Sequence, residues 1–525
     1  MNKKTFFILS LLSTIYIIGN IIWYQINKPI FILQPESALY FFDVLDNKLF
    51  SQIHPPLLSL IIKSLLYIFG THNFIIIYMS LNIFFFILSL FFIFKIGEQI
   101  NGITCGQISM ILLAATPAIY GLSRFYGRQD FHIIPILLMG VYSLIQSDMF
   151  KNQKWTILYA ISIGLGLLLR ETFLGFAIPF FLFFMLMVIS KKIKKQQIYN
   201  LIIMTIISFV LYSLQFTQKL KFSLLYTPFM EQKVSETFFT KINIILGGIS
   251  ENILALPLFL LMIFSIIFIF TEKKYKNYII LMLLCGLTIP IIIALLIPHY
   301  KQQVYMVPLV PTIILLIATS ISYLNVNIRK ILLILFIVVS ILQYTELSYG
   351  YKTWICDWKI KIRNNFYFKY FNKYDENIIF YDSVKKNNYI KVLSNMKIFE
   401  NKKILVLADN YEGCPYMLQT LRSFLLANGF NNIIVNSSVL NLYLPTYSRE
   451  LINYDLIIDL RTNKNFVSEY FYVSQNINEH KFLNNFHIPT KDDFYNKYNS
   501  FWNMYTQTKK YEINFTSAIV YELKK

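Results

Sequence analysis

The sequence predicts a mainly α-helical, polytopic membrane protein that carries a C-terminal α/β domain outside the cytoplasm. Three observations lead there. Of 525 residues, 56% are hydrophobic and only 14% charged, with mean hydropathy +0.52; a soluble chain of this length carries more charge. Apolar runs near the roughly 20 residues needed to cross a bilayer recur from the N-terminus to Tyr349. Beyond Gly350 the pattern changes to short apolar strands between polar stretches.

The apolar runs place about eleven spanning helices, at 5–24, 74–95, 106–122, 132–147, 156–169, 171–190, 198–216, 251–270, 276–297, 305–324 and 330–349. The first follows Lys3 and Lys4 like a secretory signal, but it is long and lacks a small-x-small cleavage site, so it reads as an uncleaved helix. Segment 57–69 is apolar but short and broken by Lys63, which predicts a helix lying at the membrane surface. Lys3/Lys4, Lys151/Lys154, Lys191–Lys195, Lys273–Lys276 and Arg329/Lys330 fall in loops on one side. The positive-inside rule assigns that side to the cytoplasm. The 25–73 loop, the 123–131, 217–250 and 298–304 connections and the tail then lie outside it.

In the tail, Ile404–Ala408 reads as a buried strand, Pro415–Ala427 as a helix closed by Gly429, and Asn432–Val435 and Tyr454–Leu460 as further strands. Strand, helix, strand implies a small α/β domain with a partly parallel sheet. The predicted division is therefore 1–349, a transmembrane domain, and 350–525, a soluble extracytoplasmic domain. Asp409-Asn410-Tyr411-Glu412-Gly413 after the first strand is not a G-x-G-x-x-G loop, so no nucleotide site is read there.

The net charge of +20 and pI of about 9.4 follow from basic cytoplasmic loops and a Lys-rich composition. Scattered basic residues and the lack of a recognition motif argue against nucleic acid as a partner. The four cysteines, Cys105, Cys285, Cys356 and Cys414, have no metal-ligand spacing and read as unpaired.

Chemistry-bearing residues gather in the predicted outer loops. Glu36, Tyr40 and Asp43 are spaced to share one face of a helix that opens at Pro35, beside apolar Leu39, Phe41 and Phe42. A carboxylate so placed can take a proton from an acceptor hydroxyl; the plainer reading is a solvated loop. His54-Pro55-Pro56-Leu57 stiffens the start of the surface helix. His54 is a candidate for positioning the acceptor, with Tyr40 and Tyr305. Arg124, Arg128 and Asp130 cluster in one short turn, where two arginines outside the cytoplasm call for a phosphate or for a salt bridge. Arg170-Glu171 joins two apolar runs with almost no loop, and Lys301 precedes a helix containing Pro308 and Pro311. Arg124, Arg128, Arg170 and Lys301 are thus candidate phosphate contacts, with a tight interfacial turn and headgroup snorkelling as the structural readings of the last two. Glu36, His54 and His299 offer metal ligands without a diagnostic spacing, which leaves a divalent metal open and no cofactor required.

These pieces resemble the GT-C glycosyltransferases, and within them the family 39 branch of protein O-mannosyltransferases and lipid A aminoarabinose transferases. The resemblance spans about the first 320 residues: the acidic first loop with Glu36, His54-Pro55-Pro56-Leu57, Gly164-Leu165-Gly166 before Arg170-Glu171, and Tyr305-x-x-Pro308-x-x-Pro311. The family's Asp-Glu pair reads Pro35-Glu36 here, so its catalytic role falls to Glu36 or Asp43. The resemblance implies a bacterial plasma-membrane enzyme with an extracytoplasmic active site. It implies a polyprenyl-phosphate-linked sugar as donor and an envelope glycan, lipid or protein as acceptor. The competing expectations are a transporter or lipid-glycan flippase, and a non-catalytic subunit of an envelope-assembly complex. The flippase is disfavoured because no internal repeat is visible and the charges sit at one face.

Overall fold

The structure is a computed structural model. It describes residues 2–27, 56–70, 74–124, 129–170, 172–191, 193–230, 242, 245–296 and 303–351, and beyond these 353, 355–356, 358–363, 366–370, 404–408, 433–437, 455–462, 505–513 and 516–523. The chain divides into two units, one holding all the helices below and the other the larger sheet.

The helical unit begins with α1 (Lys3–Asn27) and α2 (Leu57–Phe69). Helix α2 is amphipathic: Leu58, Ile62 and Leu66 recur every four residues and are buried, whereas Tyr67, Ile68 and Phe69 are exposed. It packs against α3 (Phe74–Ala114) and α6 (Gln153–Leu169). Between these come α4 (Pro117–Leu122), which opens on a proline that needs no N–H partner, and α5 (Gln129–Gln146). There follow α7 (Phe173–Ser190), α8 (Lys195–Met230), α9 (Leu256–Thr271), α10 (Tyr278–Leu296), α11 (Val310–Tyr323) and α12 (Val326–Tyr349). A π-helical turn, Gly248–Leu254, leads into α9, and a 3₁₀ turn, Gln303–Leu309, leads into α11.

Helix α3 is a hairpin of two legs. Its backbone leaves helical geometry only at Asn101 (φ −150°, ψ 43°) and Gly102 (φ 72°, ψ −174°), the latter a conformation that glycine alone adopts freely. In a straight helix Gly97 and Gly106 would stand about 13.5 Å apart. Here a Cβ on Gly97 would come 2.8 Å from the Gly106 Cα. The predicted segments 74–95 and 106–122 are therefore the two legs of one hairpin with α4 appended.

Each of the eleven predicted segments contains a helix. Among the described residues, seven helices are long and apolar enough to cross a membrane, or eight if the bent pair meeting near Leu254 is one span. The hairpin enters that total once, and the apolar stretches Asp130–Gln146 in α5 and Gln153–Leu169 in α6 are shorter than the seven. At the centre stands α11, whose residues Val310–Ser322 are all buried among α3, α9 and α10. Its hydroxyls stay paired: Thr319 Oγ1 donates to the Leu315 carbonyl (2.6 Å) and Ser322 Oγ accepts from Asn101 Nδ2 (2.7 Å). By contrast α12 exposes Ile328, Ile331, Ile334, Leu335, Val338 and Ile341, an apolar face suited to lipid.

After α12 the chain stays bound to the helices. Glu346 accepts from Thr353 Oγ1, and the short antiparallel pair β1 (Lys359–Arg363) and β2 (Phe366–Lys369) follows. At its end, the Tyr370 carbonyl accepts from Leu256 N (3.0 Å) and the Tyr370 hydroxyl donates to Gln343 Oε1 (3.0 Å). Burial pushes that phenol above its ordinary range, so it remains the donor.

The second unit holds a five-stranded mixed sheet in the order β4-β3-β5-β7-β6. Strand β3 (Ile404–Ala408) pairs in parallel with β4 (Ile433–Ser437) and with β5 (Leu456–Thr462), which agrees with the predicted parallel pairing. An antiparallel hairpin, β6 (Tyr505–Ile513) and β7 (Thr516–Leu523), completes the sheet and was not predicted. Strand β6 lacks the continuous apolar run that marked β3. The expected helix over 415–427 lies outside the described residues.

Candidate functional site

Six of the nine candidate site residues, Glu36, Tyr40, Asp43, His54, Arg128 and Lys301, lie outside the described residues. Tyr305 has a described backbone, in the 3₁₀ turn, but not a described side chain. Arg124 and Arg170 are described in full, and the structure gives them opposite electrostatic settings.

Arg124 follows the short helix α4, and its side chain is 6% exposed. Its Nε donates to Asn20 Oδ1 on α1 (3.1 Å), and Nη2 donates to Ser348 Oγ (2.8 Å) and the Tyr344 hydroxyl (3.3 Å) on α12. The guanidinium carbon lies 4.9 Å from the Trp23 ring, 5.6 Å from Tyr120 and 5.5 Å from Tyr344. Hydrogen bonds to a charged group contribute about 1.5–3 kcal/mol each and ring faces about 0.5–1 kcal/mol or more. Together these offset a desolvation penalty of several kcal/mol. None of these partners is anionic. Among the described residues no carboxylate lies within 4.0 Å of Arg124, and its Nη1 is buried without a hydrogen-bond partner. The cage thus stabilises the cation without neutralising it.

A cleft beside Arg124 is lined by Tyr16, Asn20 and Trp23 from α1, by Met79, Asn82 and Ile83 from α3, and by Ser123. Its free space is about 10 Å³, near what one water needs. Two amides and a guanidinium therefore face a cleft with apolar walls.

Arg170, at the C-terminal end of α6, pairs with Asp130 in the first turn of α5 at 2.5 Å. The side chains are 12% and 0% exposed. The carboxylate offered by the sequence to the 124–128 turn is thus engaged by Arg170, and the pair is internally neutral. Arg170 is held in place by close packing. A Cβ on Gly166 would come 2.5 Å from the Phe173 ring, so α6 and the start of α7 touch where the Gly164-Leu165-Gly166 run had marked the sequence.

Asn82 and His132 complete a polar band that sequence reading missed. Asn82 Nδ2 donates to the Ser123 carbonyl, and Asn82 Oδ1 lies 2.8 Å from His132 Nε2. The available signal was polarity out of place: Asn20 and Asn82 each interrupt an apolar run deep in a predicted span. Tyr344 and Ser348 carried no such signal, because their role depends on which helix meets α4. Among the described residues no three His, Cys, Asp or Glu side chains gather to hold a metal, and Cys105 Sγ lies 3.8 Å from Thr319 Oγ1.

Residues 53–213 match the family model described as dolichyl-phosphate-mannose-protein mannosyltransferase. That span includes Arg124, Asp130 and Arg170. No curated protein matches the sequence. Among solved structures, ArnT from Cupriavidus metallidurans bound to undecaprenyl phosphate superposes with a TM-score of 0.56 at 9% identity, covering 98% of this chain and 97% of that one. The same protein in its apo state gives 0.53 at 8% identity, over 87% of this chain and 93% of that one. At such identity the likeness concerns the fold, and it extends over nearly the full length of both chains. The chain is a multi-pass membrane protein that shares its fold with ArnT.

Proposed function

We propose that the protein transfers a sugar from a polyprenyl-phosphate carrier to an envelope glycan, lipid or protein acceptor on the extracytoplasmic side of the bacterial plasma membrane. The observation that carries this is Arg124: a buried guanidinium, stabilised by neutral groups and met by no carboxylate among the described residues, is suited to an anionic ligand. The mannosyltransferase family match over 53–213 and the GT-C fold support the same reading. The fold's likeness to a protein seen with undecaprenyl phosphate favours a lipid phosphate as that anion.

In this reading Glu36 or Asp43 takes the proton from the acceptor hydroxyl. The acceptor oxygen attacks the anomeric carbon from the face opposite the carrier, the bond from that carbon to the phosphate oxygen breaks, and the sugar inverts. The electron pair leaves on the polyprenyl phosphate, where Arg124, Arg128 and Lys301 stabilise it. Arg170, neutralised by Asp130, contributes at longer range. Tyr40, His54 and Tyr305 position the acceptor. The eleven helical segments cross the membrane, with the α3 hairpin supplying two, and residues 350–525 form the extracytoplasmic part. A transporter is the weaker reading, since Arg124, Asp130 and Arg170 lie at the ends of α4, α5 and α6 rather than in mid-helix. The test is transfer from polyprenyl-phosphate mannose, and from other polyprenyl-phosphate sugars, by protein reconstituted in liposomes. Glu36→Gln and Asp43→Asn are assayed separately, and the reading requires that one of them abolish transfer.

A further inference from the structure

We infer that Asn82, held by His132, is a positioning residue that sets the Arg124 guanidinium for its anionic ligand. The inference rests on the reading of Arg124 as a lipid-phosphate contact. The peptide group joining Ser123 to Arg124 is pinned at both ends. Its carbonyl accepts from Asn82 Nδ2, and its N–H donates to the Gly121 carbonyl (3.3 Å). With that peptide fixed, the start of the Arg124 side chain is set, and from there it runs to Asn20 and Ser348.

The orientation of Asn82 follows from its partners. A carbonyl only accepts, so the Asn82 nitrogen faces Ser123 and its oxygen faces His132. His132 Nε2 must then carry a hydrogen and donate to Asn82 Oδ1. The imidazole is 1% exposed, and the rings of Tyr78, Phe85 and Phe131 meet it edge-on with centroids at 5.8, 5.0 and 5.6 Å, which restricts its rotation. Asn82 is 3% exposed and also lines the cleft beside Arg124. A buried amide that only filled space would cost stability unless paired. This one is paired on both sides, and one of its partners is the backbone that carries the cation.

Binding of undecaprenyl phosphate, with undecaprenol as the neutral control, is measured on the full chain in detergent micelles, alongside KM and kcat for the polyprenyl-phosphate sugar. Asn82→Leu removes both bonds at similar volume and is expected to weaken binding and raise KM about tenfold with little change in kcat. His132→Leu is expected to do the same. His132→Gln places an amide nitrogen near the position of Nε2 and is expected to restore binding to within about twofold of the wild type. The proposal is overturned if Asn82→Leu binds the phosphate as the wild type does, or if His132→Gln is as weak as His132→Leu. Should Asn82→Leu fail to fold, the His132 pair decides, and a tenfold loss in His132→Gln alone is enough to overturn it. A wild type that does not distinguish the phosphate from undecaprenol removes the reading of Arg124 itself, and the positioning role with it.

Discussion

Arg124 sits among amides, hydroxyls and ring faces, and this setting decides what its replacement does. Arg124→Gln removes the cation while keeping some donor capacity. With about 1.5–3 kcal/mol for a charge-assisted contact, the expected loss in kcat/KM for a polyprenyl-phosphate donor is roughly 10- to 150-fold. Arg124→Lys keeps the charge but loses the planar fork that reaches Asn20 and Ser348 together, so it should recover only part of the activity. Arg170 belongs to a different class. Asp130→Asn takes the paired carboxylate away from a guanidinium that is 12% exposed. Loss of one partner from a buried pair costs about 3–5 kcal/mol, read as a fall in thermal midpoint, and Asp130→Leu combined with Arg170→Met should regain most of it. Two arginines that look alike in sequence thus differ in kind, because one meets a carboxylate from α5 and the other meets none among the described residues. Sequence marked both as unusual cations near helix ends. It had no means of assigning Asp130 to Arg170, since 40 residues separate them and only the packing of α5 on α6 brings them together.

At the scale of elements, apolar run length was the readable quantity. It located a helix in each of the eleven predicted spanning segments, the amphipathic α2 besides, and the strands β3, β4 and β5. Geometry at the joints was less readable. The pair Asn101-Gly102 marks a break, but that the two legs of α3 then touch at Gly97 and Gly106 is a tertiary fact. The hairpin β6–β7 was missed because Tyr505–Ile513 mixes Lys, Thr and Glu through the strand, and pairing with β7 rather than alternation sets its conformation. Gly166 gives the sharpest element-level prediction. A methyl there would enter the Phe173 ring, 2.5 Å away, at the α6–α7 junction that carries Arg170. Gly166→Ala should cost about 1–3 kcal/mol by overpacking, and combination with Phe173→Leu should relieve part of that loss in thermal unfolding.

For the whole molecule, a central buried helix α11, flanked by helices whose outer faces are apolar, gives a membrane body. Its orientation rests on the distribution of lysines. In cells expressing a variant without the four native cysteines, a cysteine at Lys274 should resist a membrane-impermeant maleimide, and one at Tyr351 should react; the reverse pattern would invert the topology. The fold and the membrane setting were legible in composition and apolar runs because lipid imposes them on most of the chain. The acidic residues of the first loop were equally visible as candidates, and their role remains a proposal to be tested by transfer. The central claim is that this body presents a charged site to a lipid phosphate, and native mass spectrometry of the purified protein tests it most directly. The account predicts that one undecaprenyl phosphate stays bound, that undecaprenol does not, and that Arg124→Gln loses the adduct. Equal retention of phosphate and alcohol, or an unchanged adduct in Arg124→Gln, would contradict it.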